Sequence, residues 1–184
     1  MNFKLKLLFF FFVLLSFSGI SQKKYSNEFL QIGAGARSLS LSKAVVASSA
    51  NSSSIYWNPS LLVDLTESEI ELMHASYFAG IANFDQISYA KKVNETDAVG
   101  VMLLRFGVDD IMNTANLIDN EGNVDYNRIE LFSAADYAFL FSYAKKDLYK
   151  GFDVGGNMKI IYRQIGDFAT SWGFGFDIST QKEF

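Results

Sequence analysis

Cysteine is absent from this chain, and proline and histidine each occur once. Without thiols there is no disulfide scaffold and no thiolate metal site. An excess of basic residues is missing too: 16 lysines and arginines stand against 20 aspartates and glutamates, a formal charge of −4. That removes the electrostatic footprint of a nucleic-acid binder. Catalytic constellations are equally scarce. His74 has no cysteine to pair with and no triad around it, so it reads as a structural or pore-facing residue. The run Gly33-Ala34-Gly35-Ala36-Arg37 lacks the third glycine of a dinucleotide loop. The stretch Asp119 to Asp125 offers oxygen ligands, but its glycine is misplaced for a calcium loop. The chain reads as a non-enzyme with no cofactor and no metal.

What it has in abundance is aromatic side chains, 16% of the total with 18 Phe among them. They fall at alternate positions. Ala135, Tyr137, Phe139, Phe141 and Tyr143 alternate with Asp136, Ala138, Leu140, Ser142 and Ala144. Phe152, Val154, Gly156, Met158, Ile160 and Tyr162 alternate with Asp153, Gly155, Asn157, Lys159, Ile161 and Arg163. Trp172, Phe174, Phe176 and Ile178 alternate with Gly173, Gly175, Asp177 and Ser179. Side chains of a strand point to opposite faces with period two. Each segment therefore has one greasy face and one face of small, polar or charged residues, the pattern of a transmembrane β-barrel. Tyr137, Phe139, Phe141, Tyr143, Met158, Ile160, Phe174 and Phe176 are the expected lipid-facing residues. Asp136, Asp153, Lys159, Arg163 and Asp177 are the expected polar lumen lining.

The N-terminus reads as a secretory signal peptide over residues 1–21. Lys4 and Lys6 form a positive start, Leu7 to Phe17 is an apolar run broken only by Ser16, and Ser18, Gly19 and Ser21 offer small residues for cleavage. Its removal takes the formal charge from −4 to −6. Residues 22–65 are rich in Ser, Ala and Gly and show little alternation. They read as an irregular plug or hatch inside or against a barrel, with a short helical turn at Ala44 to Ala50 and the single proline, Pro59, clear of any ladder. Residues 66–184 then carry six candidate strands, at about 67–78, 84–93, 97–107, 134–146, 152–165 and 171–181. Short turns follow the second and fourth, and a long hydrophilic loop, 108–133, follows the third. Barrels of this kind have short periplasmic turns and longer external loops. Six strands do not close a single-chain barrel, which begins at eight. The expected fold is therefore all-β: about six antiparallel strands, the N-terminal part of an outer-membrane barrel, with an N-terminal plug.

Several of these runs resemble one family. Phe29-Leu30-Gln31-Ile32-Gly33-Ala34-Gly35-Ala36-Arg37-Ser38-Leu39, then Ala44 to Ser48, then Ile55-Tyr56-Trp57-Asn58-Pro59-Ser60-Leu61 look like the N-terminal signature of the PorV/PorQ family. Downstream, Asp136-Tyr137-Ala138, Ser142 to Lys145, Gly155 to Ile161 and Gly173 to Asp177 are similar to its successive strands in order and spacing. The chain departs from it at Ser40 to Lys43, where a glycine-rich step is usual, and at Asn51 to Ser54, where an acidic residue is common. The resemblance implies an outer-membrane barrel of the type IX secretion system, structurally akin to FadL fatty-acid channels. It implies a plug signature at Gly33, Gly35, Arg37, Trp57, Asn58 and Pro59. It implies as partners the outer-membrane lipid, the translocon and the C-terminal signal domains of secreted proteins. Two other readings stand beside it. One is a FadL-type channel for hydrophobic small molecules, with Val99, Val101 and Leu103 as inward apolar residues. The other is a secreted soluble β-sandwich.

Overall fold

A computed structural model describes residues 27–48, 50–118 and 121–183. The signal-peptide expectation lies outside the described residues. Six antiparallel strands form one sheet in sequence order: β1 (Glu69–Tyr77), β2 (Ala82–Lys92), β3 (Asp97–Asn113), β4 (Glu130–Tyr149), β5 (Phe152–Ile165) and β6 (Ala169–Gln181). Neighbours in the chain are neighbours in the sheet, so every connection is a hairpin. The sheet is not closed. Among the described residues, β1 pairs only with β2, and β6 only with β5.

The long loop is shorter than its composition suggests. β3 runs on to Asn113 and β4 starts at Glu130, with a register shift between Val108 and Ile111. Asp110 sits at φ 57 in this shift. An extra residue in one strand breaks the alternation that sequence reading depends on, while pairing resumes beyond it. What remains of the loop holds a one-turn 3₁₀ segment at Tyr126–Arg128 and an isolated bridge between Ile118 and Val124.

The described residues of 27–65 lie on one face of the sheet, and no strand is found among them. Short helical pieces make up much of this segment: 3₁₀ turns at Glu28–Gln31 and Pro59–Asp64, and helices α1 (Ala36–Ser40) and α2 (Ser54–Trp57). Within the stretch where a short helical turn was expected, Ala44 to Ala50, residues 46–48 form a turn closed by Ser48 N–H donating to the Val45 carbonyl. Pro59 stands at the first position of its 3₁₀ turn, where a missing N–H costs nothing. The Asn58 side chain caps that turn by accepting from Ser60 N–H.

The core lies between this segment and the sheet. Ile55, Leu62 and Val63 come down on Phe84, Ala98, Met102, Leu104, Ala138, Leu140 and Ala144, and all of these are buried. Burying a side chain the size of Ile55 or Leu62 contributes about 1.5–3 kcal/mol. Close approach depends on two strand glycines. A methyl group built on Gly100 would stand 2.6 Å from Ile55 Cδ1. One built on Gly155 would collide with the backbone of Pro59 and Ser60.

Register fixes which residues share a face, because directly opposed residues point the same way. Val99, Val101 and Leu103 pair with Tyr143, Phe141 and Phe139. They therefore lie on the aromatic face, away from the N-terminal segment, and the inward expectation for them is corrected. The inward residues of β3 are Ala98, Gly100, Met102 and Leu104. His74 is likewise on the outward face, with its side chain largely exposed, and does not line an interior.

Candidate functional site

The open face of the sheet, opposite the N-terminal segment, carries the strongest chemical pattern in the molecule. Following register across all six strands gives one row of Leu72, Ile87, Leu103, Phe139, Ile160 and Phe174. The next row holds Ile70, Tyr89, Val101, Phe141, Met158 and Phe176. These 12 positions contain one polar side-chain atom, the Tyr89 hydroxyl. Most of them are well exposed, up to 77% at Phe176. Soluble proteins seldom expose an apolar patch of this extent without a use for it.

The rows on either side are different. Toward the long loop, His74, Asp85, Arg105, Tyr137, Tyr162 and Trp172 are in register. In this row His74 Nδ1 lies 2.6 Å from Asp85 Oδ1, and Arg105 reaches Asp85 at 3.5 Å and Asp109 at 3.1 Å. Tyr137 stacks on Tyr162, which in turn meets Trp172. Toward the short turns, Lys91, Val99, Tyr143, Gly156 and Ile178 share a row. The Tyr143 hydroxyl donates to Asp97 there. Two apolar rows are thus bounded by paired charges, aromatic rings with polar tips and a lysine.

All eight residues expected to face lipid lie on this face. Phe139, Phe141, Tyr143, Met158, Phe174 and Phe176 are exposed, and Tyr137 and Ile160 are half-buried. The face also holds a groove of about 270 Å³. Val101 and Leu103 of β3 form its floor, between walls of Ile87 and Tyr89 on one side and Phe139 and Phe141 on the other. Sequence reading had marked the walls on β4 but placed the floor inside.

The inner face carries paired polar groups around its apolar core. Lys159 Nζ meets Asp177 at 2.6 Å, Arg163 forms a two-pronged pair with Asp136, and Asp153 accepts from Asp147 N–H at 2.7 Å. Around these groups the N-terminal segment is tied to nearly the full width of the sheet. Gly35 N–H donates to Gln86 at 2.7 Å, and Ser52 N–H donates to Glu69 at 3.2 Å. Ser88 bonds the Ser52 hydroxyl at 3.0 Å, Asn157 donates to the Ile55 carbonyl at 2.6 Å, and Ser60 N–H donates to Ser179 at 3.0 Å. Burial, and then the charge of Asp177, holds the Tyr56 phenol above its usual value.

Of the six signature residues, Gly33 and Trp57 meet across the N-terminal segment, and Gly35, Asn58 and Pro59 each pack on a different partner. Gly33, at φ 95, sits under the Trp57 ring, whose indole N–H donates to the Ala34 carbonyl at 2.7 Å. Gly35, at φ 84, leaves room for Ser53. Asn58 holds Ser60 on one side and donates to the Val46 carbonyl at 2.8 Å on the other. Pro59 rests over Gly155. Arg37 stands apart, exposed on α1. The serines beside them were the residues missed. Ser52, Ser53 and Ser54 are buried, and their polarity, which in a sequence signals a surface tract, is met by Glu69, Glu71, Ser88 and Asn51.

A family model described as "Uncharacterised protein family (UPF0164)" matches residues 15–175, and the chain belongs to that family. No curated protein and no solved structure matches it.

Proposed function

We propose that this UPF0164 member is an outer-membrane β-barrel protein of the PorV/PorQ type. On this reading it takes part in type IX protein secretion by binding the translocon, the C-terminal signal domains of secreted proteins, or both. The observation that carries the membrane reading is the pair of unbroken apolar rows on the open face. In water such a face must be covered; in lipid it is already in its preferred medium. The bounding rows of Tyr137, Tyr162, Trp172 and Tyr143 stand where interfacial aromatic girdles belong. The shortest strand, β1, has 9 residues, enough for a tilted strand to cross a bilayer.

In lipid each sheet edge needs a strand beside it, because unpaired N–H and C=O groups have no water to bond. The reading therefore requires neighbours for Glu69–Tyr77 and Ala169–Gln181. The N-terminal segment serves as the plug. The seating of Trp57 on Gly33 and Ala34, with Pro59 packed on the sheet at Gly155, supports the PorV/PorQ resemblance, and the secretory role follows from that resemblance by analogy. The FadL alternative drew on Val99, Val101 and Leu103 as lumen lining, and it loses that support with their outward orientation.

The test is to tag the protein in its native host, isolate outer membranes and identify what is captured with it. Recovery of translocon components or of proteins bearing C-terminal signal domains supports the secretory role. Recovery in the outer membrane without either removes that role and leaves the barrel. Absence from the outer membrane removes both.

A further inference from the structure

We infer that the groove along β3 binds one acyl chain of an anionic phospholipid, whose headgroup phosphate is held by Lys91. The inference rests on the lipid-facing reading of the open face and adds a specific ligand site to it. The groove follows from residue size. In one row Val101 lies between Tyr89 and Phe141, and in the next Leu103 lies between Ile87 and Phe139. Val101 is smaller than both its neighbours and Leu103 smaller than Phe139, and these differences leave a trough of about 270 Å³ running along the strand. Its direction, crossing the sheet from one bounding row toward the other, suits a chain that stands across a leaflet.

The two ends of the trough differ in charge. At the long-loop end Arg105 is held by Asp85 and Asp109, so no unneutralised cation is on offer. At the short-turn end Lys91 lies two residues beyond Tyr89 on the same wall, opposite Val99. It is exposed, and no ion pair or ring contact engages it among the described residues. Lys145 and Lys146, at the same end, are engaged by Asp97 and Asp64. Two residues of strand rise about 6.7 Å. Lys91 is therefore about 10 Å along the strand from the midline between the two apolar rows. Half of a typical lipid-facing band is about 12 Å, and the flexible lysine stem spans the remainder.

The other lysines of the short-turn end, Lys92, Lys145, Lys146, Lys150 and Lys182, are interleaved with Glu95, Asp97, Asp147, Asp153 and Glu183, so the preference for an anion rests on Lys91 itself. A monoanionic headgroup at the mouth of an apolar trough complements a lone ammonium there; a zwitterionic one brings a competing cation.

The test uses the whole protein, folded from outer membranes into mild detergent, with native mass spectrometry of bound phosphatidylglycerol against phosphatidylcholine. Wild type should retain one phosphatidylglycerol in preference. Lys91→Gln should weaken that retention about fivefold, the effect of one interfacial lysine, and Lys91→Arg should keep it. Val101→Trp, which fills the trough, should abolish it. Heat-modifiable gel migration of the same samples separates the two levels of the argument. Normal migration with no retained lipid, or with retention unchanged in Lys91→Gln and Val101→Trp, overturns this site and leaves the barrel reading intact. A protein cross-linked from position 101 in native membranes, in place of lipid, also overturns it. Failure of wild type to insert overturns both.

Discussion

Gly155 and Ser60 are in contact so close that no side chain fits between them: a methyl group on Gly155 would enter the Ser60 backbone. The sheet and the N-terminal segment meet here main chain to main chain, beside the bond from Ser60 N–H to Ser179.

Gly155→Ala should therefore loosen the segment from the sheet. Overpacking a tight site costs about 1–3 kcal/mol. Gly175, whose added methyl would meet only Lys159 at 3.7 Å, should accept alanine with little change. Thermal or urea unfolding of the two variants in parallel checks this. Equal stabilities would mean that the segment is not held at this point.

Trp57→Phe keeps an aromatic ring near Gly33 but removes the donor to Ala34, a residue with 0% exposure. Leaving a buried carbonyl unpaired should cost about 1–3 kcal/mol. Asn58→Ala, which removes a cap, should cost about 0.5–2 kcal/mol. Asn58→Ser, which keeps an oxygen acceptor for the cap and loses the amide donor to Val46, should fall between wild type and alanine. Denaturant midpoints rank the set, and a harmless Asn58→Ala would refute the capping role.

Phe139→Arg places a charge in the middle of the apolar belt. If that belt faces hydrocarbon, the variant should lose about 2–4 kcal/mol, against about 0–1 kcal/mol for Asn83→Arg, since Asn83 is in register with Ser76 and Gly107, one row beyond Asp85 toward the loop. The readout is the fraction of heat-modifiable, membrane-inserted protein. Equal insertion of both variants would contradict the lipid-facing assignment.

Replacing residues 119–123 by a two-residue Asn-Gly turn should leave the sheet intact, because β3 and β4 are already paired at Asn113 and Glu130. Normal folding with unchanged partner capture would show that the loop tip takes no part in docking. Loss of folding would show that it is a packed element.

The strands and the aromatic face were legible because period two is a strong signal when one side is Phe and Tyr and the other is Asp, Ala and Ser, as in β4. β3 was legible as a strand but not by face. Val99, Val101 and Leu103 are apolar, and so are Ala98, Met102 and Leu104 on the other side, so alternation alone cannot tell inside from outside. Pairing with Phe139 and Phe141 decides it. The extension of β3 was hidden by the shift at Asp110, and the buried serines by their composition. Ser52 is covered only because Glu69, Glu71 and Ser88, distant in sequence, supply its hydrogen bonds.

The ties of the N-terminal segment also set an order of events. Ile55 is joined to Asn157 across 102 positions of chain and Ser60 to Ser179 across 119. The N-terminal segment thus finds part of its seat on strands synthesised well after it. Contacts of such long range form slowly, because the loop between them must first be closed. Before β4 to β6 are made, Ile55 and Leu62 can rest only on β2 and β3, and the segment is held through Glu69, Glu71, Gln86 and Ser88. The ties to Asn157 and Ser179 then close the seat from the far side of the sheet, so full docking of the segment reports that β5 and β6 are in place.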